Sequence, residues 1–268
     1  MSINHPYVNA AKDFLELASE QRLNILFGLR EKKSKITTMA KELDATVQEV
    51  HRNFERLADA GLVAKDNEGY YNLTTYGKTI CTQIPDLVFV SKYRKYFEDH
   101  DFGDMPQKFI QRIGALASGQ YVKGFAKVLE QWKTIFKNAD EFIYGILSEE
   151  PLDLIEPILS KARKGVKINS IFSESAVIPK GRKEFVDKIG LKKLIENGLV
   201  ERKMRKDVKV VVVLNEKEAC VMFSTIDGEA DVGEMFYSND SLFHEWCLDY
   251  FRYCWHGSDV FQESKLKE

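Results

Sequence analysis

Cysteine, proline and glycine are all scarce in this sequence of 268 residues. Six prolines and 16 glycines are too few for long disordered or collagen-like segments. The cysteines form no C-x-x-C pattern, which argues against a zinc ribbon and against a thioredoxin-like redox motif. We therefore predict neither a metal site nor a cofactor. The four cysteines are Cys81, Cys220, Cys247 and Cys254.

Two of these cysteines, Cys247 and Cys254, lie seven residues apart on one predicted helix. A rise of about 1.5 Å per residue separates them by about 10 Å, which is too far for a disulfide within the helix. We interpret the cysteines as small buried apolar residues. A thiol sensor is the alternative.

Long hydrophobic runs are also missing. No apolar stretch reaches the roughly 18 residues that would span a bilayer. The first six residues show no basic flank followed by an apolar stretch, so we predict no secretory signal. We expect a cytoplasmic protein without a membrane partner.

Short catalytic and phosphate-binding motifs are absent as well. The sequence contains no G-x-x-x-x-G-K-S/T, no G-x-G-x-x-G after a predicted strand, no G-x-S-x-G and no H-E-x-x-H. No histidine is followed two residues later by lysine, so the H-x-K signature of phospholipase-D-like phosphodiesterases is missing. We predict no enzyme activity and no catalytic residue, although catalytic residues need not form short motifs.

What is present is the composition of a globular protein, with 44% hydrophobic and 30% charged residues. At roughly 150 residues per domain, the length favours two domains. The net charge of −2 is distributed unevenly along the chain. Residues 178–206 include ten basic and four acidic side chains, whereas residues 226–268 include three and ten. This asymmetry describes surfaces rather than the fold.

The N-terminal part predicts two helices joined by a tight turn. A short helix is predicted over 37–43, a turn over 44–45 and a longer helix over 47–60. Thr46 and Glu49, three residues apart, form a capping box at the start of the longer helix. Apolar residues at helical spacing predict its buried stripe: Val47, Val50, Phe54 and Leu57.

A β-hairpin is predicted directly after the longer helix. Residues 62–65 and 70–73 have the composition of strands, and residues 66–69 that of a turn. Short helix, turn, capped helix and hairpin follow one another in the order of a winged helix-turn-helix domain. A generic helical bundle with an unrelated hairpin is the alternative.

A helix is predicted from Thr74 towards Glu98, with a kink at Pro85. Its aromatic side chains either pair with a second copy of the chain or pack on their own chain: Tyr93, Tyr96 and Phe97.

Strands and helices alternate from residue 141 onwards. Strands are predicted over 141–147, 166–172, 199–204, 208–214 and 219–223, and helices over 152–163, 183–196 and 241–255. This alternation predicts an α/β domain with a largely parallel sheet, in which 208–223 forms a hairpin at one edge. The last helix is too apolar on one face for solvent, so it must pack on the sheet or on a partner subunit.

These patterns together predict the α+β class with three segments. Residues 1–78 form a winged helix-turn-helix DNA-binding domain, and residues 79–122 form linker or dimerisation helices. Residues 123–268 form an α/β domain for effector sensing or regulation.

The helix over 47–60 is the predicted recognition helix. Gln48, Arg52 and Arg56 lie opposite its apolar stripe, with Arg52 near the centre of that face. Glutamine and arginine pair bidentately with adenine and guanine edges in the major groove. Hydroxyls near the two helix starts and lysines beside the hairpin would contact phosphates, which position a protein without reading sequence. The predicted DNA-binding set is Thr37, Thr38, Thr46, Gln48, His51, Arg52, Arg56, Lys65 and Tyr70, with Lys32, Lys33 and Lys35 on the backbone-contacting side.

Charge alone does not attract this part of the chain to DNA. Residues 1–80 carry eleven basic and eleven acidic side chains. Binding must therefore rely on local clustering of cations and on two copies acting together.

Several short sequence motifs point to a family. They are Phe14-Leu15 with Ser19-Glu20-Gln21-Arg22-Leu23-x-Ile25-Leu26, Leu73-Thr74-x-x-Gly77-Lys78, His100-Asp101 to Pro106, and Phe109-Ile110-x-Arg112-Ile113-Gly114-x-Leu116. Over nearly its whole length the chain resembles archaeal winged-helix transcription regulators whose second domain is of the methanogenesis-regulator (Fil regulator) type. The C-terminal run, with Ala219 to Phe223, Gly233, Phe236, Trp246 and Phe251, is also similar to the sensor domain of TrmB-like sugar regulators.

The resemblance implies a one-component regulator, with DNA binding at the N-terminus and sensing or dimerisation behind it. The basic segment 178–206 and the cysteines of the last helix depart from the family pattern, so no ligand-binding residue is carried over. If a small anion is sensed, the most basic neighbourhood in the sequence comprises Lys180, Arg182, Lys183, Arg202, Lys203 and Arg205. A solvated basic face and added non-specific DNA affinity are the alternatives for these residues.

The resulting hypothesis is a sequence-specific DNA-binding transcriptional regulator. As a homodimer it would read an inverted repeat with two recognition helices about 34 Å apart. Its partners would be double-stranded DNA, a second copy of itself and a small-molecule effector. One rival is an α/β enzyme for a nucleotide or phosphorylated metabolite, with the winged helix as a protein-binding module; another is an interaction adaptor.

Overall fold

The computed structural model describes residues 7–149 and 151–266. The chain divides into two compact units, Met1–Pro85 and Asp86–Glu268, each with its own hydrophobic core. The division falls inside one helix, at a different place from the predicted boundaries after residues 78 and 122. Residues Phe89 to Leu116 contribute to the same core as the sheet of the second unit.

The first unit consists of helices and one β-hairpin. Its elements are α1 (Tyr7–Leu17), α2 (Glu20–Glu31), α3 (Ile36–Glu42), α4 (Val47–Asp59), β1 (Val63–Lys65), β2 (Tyr71–Leu73) and α5 (Thr75–Lys92), which continues past Pro85. The two strands are antiparallel, with Val63 opposite Leu73 and Lys65 opposite Tyr71. Helices and hairpin thus follow one another in the predicted order.

Local hydrogen bonds begin α2 and α4 where the sequence predicts them. The backbone N–H of Arg22 donates to Ser19 Oγ at 3.5 Å. In the capping box, the N–H of Glu49 donates to Thr46 Oγ1 at 3.2 Å, and the N–H of Thr46 donates to Glu49 Oε2 at 3.1 Å. Asp44 adopts a φ of +48°, so the turn between α3 and α4 uses the left-handed region that aspartate tolerates.

The buried stripe of α4 is shorter than predicted. Val50, Phe54 and Leu57 are fully buried, but Val47 is 52% exposed. Val47 is the first residue of α4, and the surrounding elements cover only the later turns. Helical spacing predicts which residues share a face, but it does not predict how far along that face the core extends.

The second unit carries most of the strands. They are β3 (His100–Asp101), β4 (Gln120–Lys123), β5 (Phe142–Glu149), β6 (Lys167–Val177), β7 (Val200–Arg205), β8 (Val211–Asn215), β9 (Ala219–Met222), β10 (Ser224–Thr225), β11 (Glu234–Ser238) and β12 (Asp259–Val260). Its helices are α6 (Gln107–Ile110), α7 (Phe125–Asn138), α8 (Leu152–Arg163), α9 (Arg182–Lys188), α10 (Leu191–Glu196) and α11 (Ser241–His256). Short 3-10 turns cover Tyr96–Glu98, Ile113–Leu116 and Glu263–Lys265. The predicted α+β class is confirmed.

Eight strands form one sheet in the order β12-β7-β6-β5-β8-β9-β11-β4, and a separate pair joins β3 to β10. The prediction of a largely parallel sheet is wrong: among the strand pairs within residues 7–149 and 151–266, only β5–β6 and β6–β7 are parallel, and the others are antiparallel. The predicted edge hairpin, β8–β9, lies in the interior, because β11 and β4 extend the sheet beyond it. Every residue of β8 is buried, as expected of an interior strand with four consecutive apolar residues, and its one polar residue, Asn215, donates to the carbonyl of Ile135 at 2.7 Å.

Two predicted helices have different bounds. The helix from Thr74 ends at Lys92 rather than near Glu98. The helix predicted over 183–196 is interrupted by Gly190, which has a φ of +82° and separates α9 from α10. A glycine in the left-handed region cannot continue an α-helix, so the break is local in origin.

Both aromatic segments pack within their own chain. Tyr93 and Tyr96 lie with their ring centroids 4.7 and 5.1 Å from that of Phe236 on β11. Helix α11 packs on the sheet, and Trp246 Nε1 donates to the carbonyl of Phe109 at 3.1 Å. Its buried side chains are Phe243, Trp246, Cys247, Tyr250, Phe251 and Cys254. Of the helices in the described ranges, none has the length and apolarity that a membrane span requires.

Candidate nucleic-acid interface

Helix α4 presents a polar face directly opposite its buried stripe. Gln48 and Arg52 are one turn apart, and both side chains are exposed. His51 and Arg56 are exposed as well. The face predicted to read base edges is therefore open to solvent.

Two of the predicted DNA-binding side chains already have partners in the first unit. Arg56 donates from Nε and Nη2 to the two carboxylate oxygens of Glu16, at 2.8 and 2.7 Å. This hydrogen-bonded pair holds the pKa of the Glu16 carboxyl below its ordinary value. His51 Nδ1 lies 3.4 Å from Glu55 Oε2, one turn along the same helix. Arg56 can reach a base or phosphate only by exchanging its carboxylate partner.

The threonines near the helix starts differ in availability. Thr37 and Thr38 are exposed in the first turn of α3. The Thr46 hydroxyl accepts from the N–H of Glu49 and donates to Glu49 Oε2 at 2.7 Å. That hydrogen bond lowers the pKa of the Glu49 carboxyl. A phosphate contact from Thr46 would therefore compete with the cap of α4.

The hairpin turn is fixed by one carboxylate. Asp66 Oδ1 accepts from the N–H groups of Glu68 and Tyr70 at 3.0 and 2.8 Å. The hydrogen bond from Tyr70 lowers the pKa of the Asp66 carboxyl. Gly69, with a φ of +85°, completes the turn in a conformation that favours glycine.

Lysines from a distant loop gather on this hairpin. Lys33 Nζ and Lys35 Nζ each lie 4.6 Å from the centroid of the Tyr70 ring, within cation–π distance. Lys65 on β1 is exposed, with its Nζ 5.8 Å from the Tyr71 ring. The predicted hairpin residues and the predicted loop lysines therefore lie on one surface, where Lys33 Nζ is also 3.5 Å from both Asp66 Oδ2 and Glu68 Oε2. Three lysines meet two carboxylates there, which leaves one positive charge.

A buried arginine that sequence reasoning missed ties the helices together. Arg22 is 7% exposed, and its guanidinium donates to the carbonyls of Glu16 and Leu15 at 2.7 and 2.9 Å. It also donates to Asn53 Oδ1 on α4 at 3.4 Å. Arg22 thus positions α4 against the end of α1. Arginine is rarely buried, so neither its type nor its spacing signals this role.

The basic segment of the second unit does not form a single surface. Arg182 is 1% exposed and, like Arg202, donates to the carboxylate of Glu263, at 2.5 and 3.1 Å. Lys203 Nζ donates to the carbonyl of Trp255 at 3.0 Å. Lys180 is exposed, the side chain of Lys183 lies outside the described residues, and Arg205 lines a different cleft. The neighbourhood predicted for a small anion is therefore divided by the fold.

A cluster of titratable groups in the second unit bears on the enzyme alternative. His100 Nδ1 lies 2.9 Å from the carbonyl oxygen of Tyr96, and its Nε2 lies 3.0 Å from Asp231 Oδ2. Tyr121 OH donates to Glu234, and burial together with that bond raises the tyrosine pKa. Both imidazole nitrogens of His100 thus lie beside an acceptor, and the Tyr121 hydroxyl is engaged by Glu234.

The cysteines are buried and show no sign of activation. Burial raises the pKa of the Cys220 thiol to about 12 and raises those of Cys247 and Cys254. A thiol with a raised pKa stays protonated and is a poor nucleophile at neutral pH. Across the part of the chain that the structure describes, no group of three or more His, Cys, Asp or Glu side chains could hold a metal ion.

Comparison with known proteins finds a family-model match in the N-terminal region. Residues 11–92 match the family model of the HVO_A0261 N-terminal domain. The match covers the hairpin, α2 to α5 and part of α1, and it stops before the eight-stranded sheet. A search of curated proteins finds no match. The resemblance to Fil-type regulators, which would extend into the second unit, stays a prediction.

Solved structures that align with this chain have low sequence identity to it. TrmBL2, described as an archaeal chromatin protein, has a TM-score of 0.42 and 10% identity, and the alignment covers 91% of this chain and 95% of TrmBL2. NucT from Helicobacter pylori has a TM-score of 0.42 and 14% identity over 54% of this chain and 99% of its own. The phospholipase D family member Nuc from Salmonella typhimurium has a TM-score of 0.39 and 16% identity over 55% and 99%.

Proposed function

We propose that this protein is a sequence-specific DNA-binding transcriptional regulator. Its first unit is a winged helix-turn-helix domain, in which α4 enters the major groove and the β1–β2 hairpin is the wing. The observation that carries the proposal is the exposed face of α4, on which Gln48 and Arg52 project together, opposite a fully buried stripe. These two side-chain types can read adenine and guanine edges.

The wing supplies the second support. Lys33 and Lys35 meet at the Tyr70 ring, and Lys65 lies exposed on the adjacent strand. Cations beside a recognition helix contact phosphates and fix its orientation in the groove. Since the first eighty residues carry no net positive charge, this local cluster must provide the electrostatic attraction.

The proposed regulator is a homodimer that reads an inverted repeat. Leu87 and Val88, near the end of α5, are 73% and 49% exposed, although both are apolar. A contact between two copies would remove this apolar surface from water. We expect wild-type protein to elute as a dimer in size-exclusion chromatography with light scattering, and Leu87→Glu to shift it towards monomer. A wild-type monomer at every concentration would contradict the dimer.

The proposal includes no catalytic step, and the second unit acts as a regulatory domain. The His100 ring lies within hydrogen-bond distance of the Tyr96 carbonyl and of Asp231, and burial raises the pKa of the Cys220 thiol, so neither group favours an enzyme. One result would favour the enzyme hypothesis: the protein hydrolyses a phosphodiester or a nucleotide, His100→Ala loses this activity, and folded Arg52→Ala retains it.

The testing experiment is selection of genomic DNA fragments by the purified protein, followed by footprinting of the best fragment. A compact footprint with two-fold symmetry supports the proposal. With that operator, Arg52→Ala should cost roughly 1–3 kcal/mol of specific binding and relax specificity at one position in each half-site. Lys65→Ala should weaken all sequences alike and reduce the salt slope by about one.

A charge-matched control separates these effects from the loss of one cation anywhere. Lys78 on α5 is exposed and lies outside α4 and the wing. Lys78→Ala should leave operator affinity and salt slope unchanged. Wild-type affinity of Arg52→Ala would overturn its assignment as a base contact. No enriched fragment with or without cell-extract metabolites would favour a protein-binding role for the wing.

A further inference from the structure

A basic cleft in the second unit is assembled from segments that are far apart in the sequence. Its volume is about 710 Å³, which lies within the roughly 300–1,000 Å³ typical of small-molecule sites. The walls come from α6 and the residues after it, from the end of β7 and from the last turns of α11. The lining residues are Lys108, Phe109, Arg112, Arg205, Asp249, Arg252, Tyr253, His256 and Gly257.

The charge of the lining is strongly one-sided. Four permanent cations, from Lys108, Arg112, Arg205 and Arg252, face one carboxylate, that of Asp249. Arg112 Nη1 donates to Asp249 Oδ2 at 2.9 Å, so that carboxylate neutralises one guanidinium. Two carboxylates outside the lining form longer ion pairs with it, Glu245 at 3.8 Å from Arg112 and Asp104 at 3.9 Å from Arg205, so three carboxylates meet four cations. Mutual repulsion of the cations is therefore incompletely compensated within the described residues.

Helix-end electrostatics explains only part of this arrangement. Arg252 and His256 lie in the last turns of α11, where basic side chains offset the partial negative charge of the carbonyl groups. Lys108, Arg112 and Arg205 belong to other elements and face the same space. The helix dipole does not account for these three cations, and one positive charge of the cleft remains after the ion pairs to Asp104, Glu245 and Asp249.

The aromatic part of the lining is already covered by a cation. Lys108 Nζ lies 4.4 Å from the centroid of the Tyr253 ring and 5.1 Å from that of Phe109. This contact holds the ammonium group over the aromatic floor. The chemistry of recognition is therefore ionic, with guanidinium groups that can bind phosphate oxygens bidentately.

We propose that this cleft binds a small ligand carrying a phosphomonoester or diphosphate group. Such a group carries about two negative charges at neutral pH, which complements the excess of cations. The identification of this ligand as the effector rests on the proposed regulatory function. Binding itself does not, because it can be measured in the absence of DNA.

The test is isothermal titration calorimetry of the full chain at about 50 mM salt, where screening leaves short-range ion pairs intact. Pyrophosphate, orthophosphate and ADP are the probes, and adenosine is the uncharged control. We expect saturable binding of pyrophosphate at one site per chain and none of adenosine. A stronger response to ADP than to pyrophosphate would assign part of the affinity to the organic moiety, whereas equal responses would assign it to the phosphates alone.

Two substitutions of opposite expected sign locate the site. Arg252→Gln removes an exposed cation and should weaken pyrophosphate binding about tenfold or more. Asp249→Asn keeps an acceptor for Arg112 but removes the negative charge, and should strengthen binding about threefold. Lys137→Gln, on α7 and outside the lining, is the matched control and should bind like wild type.

The inference fails if pyrophosphate shows no saturable binding, or if Arg252→Gln and Lys137→Gln weaken it equally. It also fails if a short random-sequence duplex displaces pyrophosphate and Arg252→Gln lowers the salt slope of DNA binding, since the cleft would then be a DNA-backbone contact. Arg52→Ala should leave pyrophosphate binding unchanged. If DNA selection fails while pyrophosphate binding is intact, the proposed function is therefore wrong, but the phosphate site stands.

Discussion

Cations that are neighbours in the sequence remain together in the first unit and separate in the second. Lys33 and Lys35 both contact the Tyr70 ring. By contrast, Arg202 and Lys203, which are adjacent on β7, contact Glu263 and Trp255 respectively. Successive strand residues point to opposite faces of a sheet, so the pleat itself divides a run of charge. A basic stretch therefore predicts a basic surface in a loop but not in a strand.

The largest change in stability is expected within the basic segment 178–206, where a buried arginine and an exposed lysine lie two residues apart. Arg182 is buried and paired with Glu263, which also keeps Arg202 as a partner, so Arg182→Ala removes a charged hydrogen bond and should lower the free energy of unfolding by about 1.5–3 kcal/mol. Lys180→Ala, two residues away and exposed, should change it by less than about 0.5 kcal/mol. Urea denaturation followed by circular dichroism measures both. Similar midpoints for the two variants would show that the segment is a uniform solvated surface after all.

The same contrast explains which parts of the structure could be predicted from the sequence. The capping box at Thr46 and Glu49, the turn at Asp44 and the hairpin are set by residues within a few positions of one another. Strand order is not local: β11 and β4 lie beside the β8–β9 hairpin through pairings that no periodicity encodes. The mixed sheet therefore could not be predicted from sequence patterns, whereas the α+β class could.

The candidate sites divide in the same way. The exposed face of α4 follows from helical spacing alone, and its polar residues lie where predicted. The basic cleft brings Lys108, Arg205 and Arg252 together from three separate segments, of which only one lies in the basic run. The ion pair between Arg56 and Glu16, which are forty residues apart, could not be predicted from the sequence either.

An intermediate effect is expected at the turn that joins α3 to α4. Asp44 has a φ of +48°, a region that costs a β-branched residue about 1–2 kcal/mol or more, whereas glycine enters it freely. Asp44→Val should lower the free energy of unfolding by that amount, and Asp44→Gly should lie within about 0.5 kcal/mol of wild type. Thermal and urea denaturation of the two variants provide the comparison. If both variants were equally destabilised, a side-chain contact of Asp44 rather than backbone geometry would set the turn.

The smallest effect is expected at the long-range pair of the first unit, and it should depend on pH. The hydrogen bond from Arg56 lowers the pKa of Glu16 from its ordinary value of 4.5. A carboxyl whose folded pKa is depressed contributes stability that is present above its unfolded pKa and is lost as the pH falls through the folded pKa. Glu16→Gln should therefore be less stable than wild type near neutral pH, and the two should converge well below pH 4.5.

Glu31→Gln, an exposed carboxyl at the end of α2, is the matched control and should show no such convergence. The measurement is the urea midpoint of each variant at several pH values between about 3 and 7, because carboxylates titrate in this window. A difference between Glu16→Gln and wild type that stays constant down to the lowest pH would mean that Glu16 acts through packing. The ion pair would then be an incidental contact, and Arg56 would be free to serve α4 as a DNA contact without first exchanging a partner.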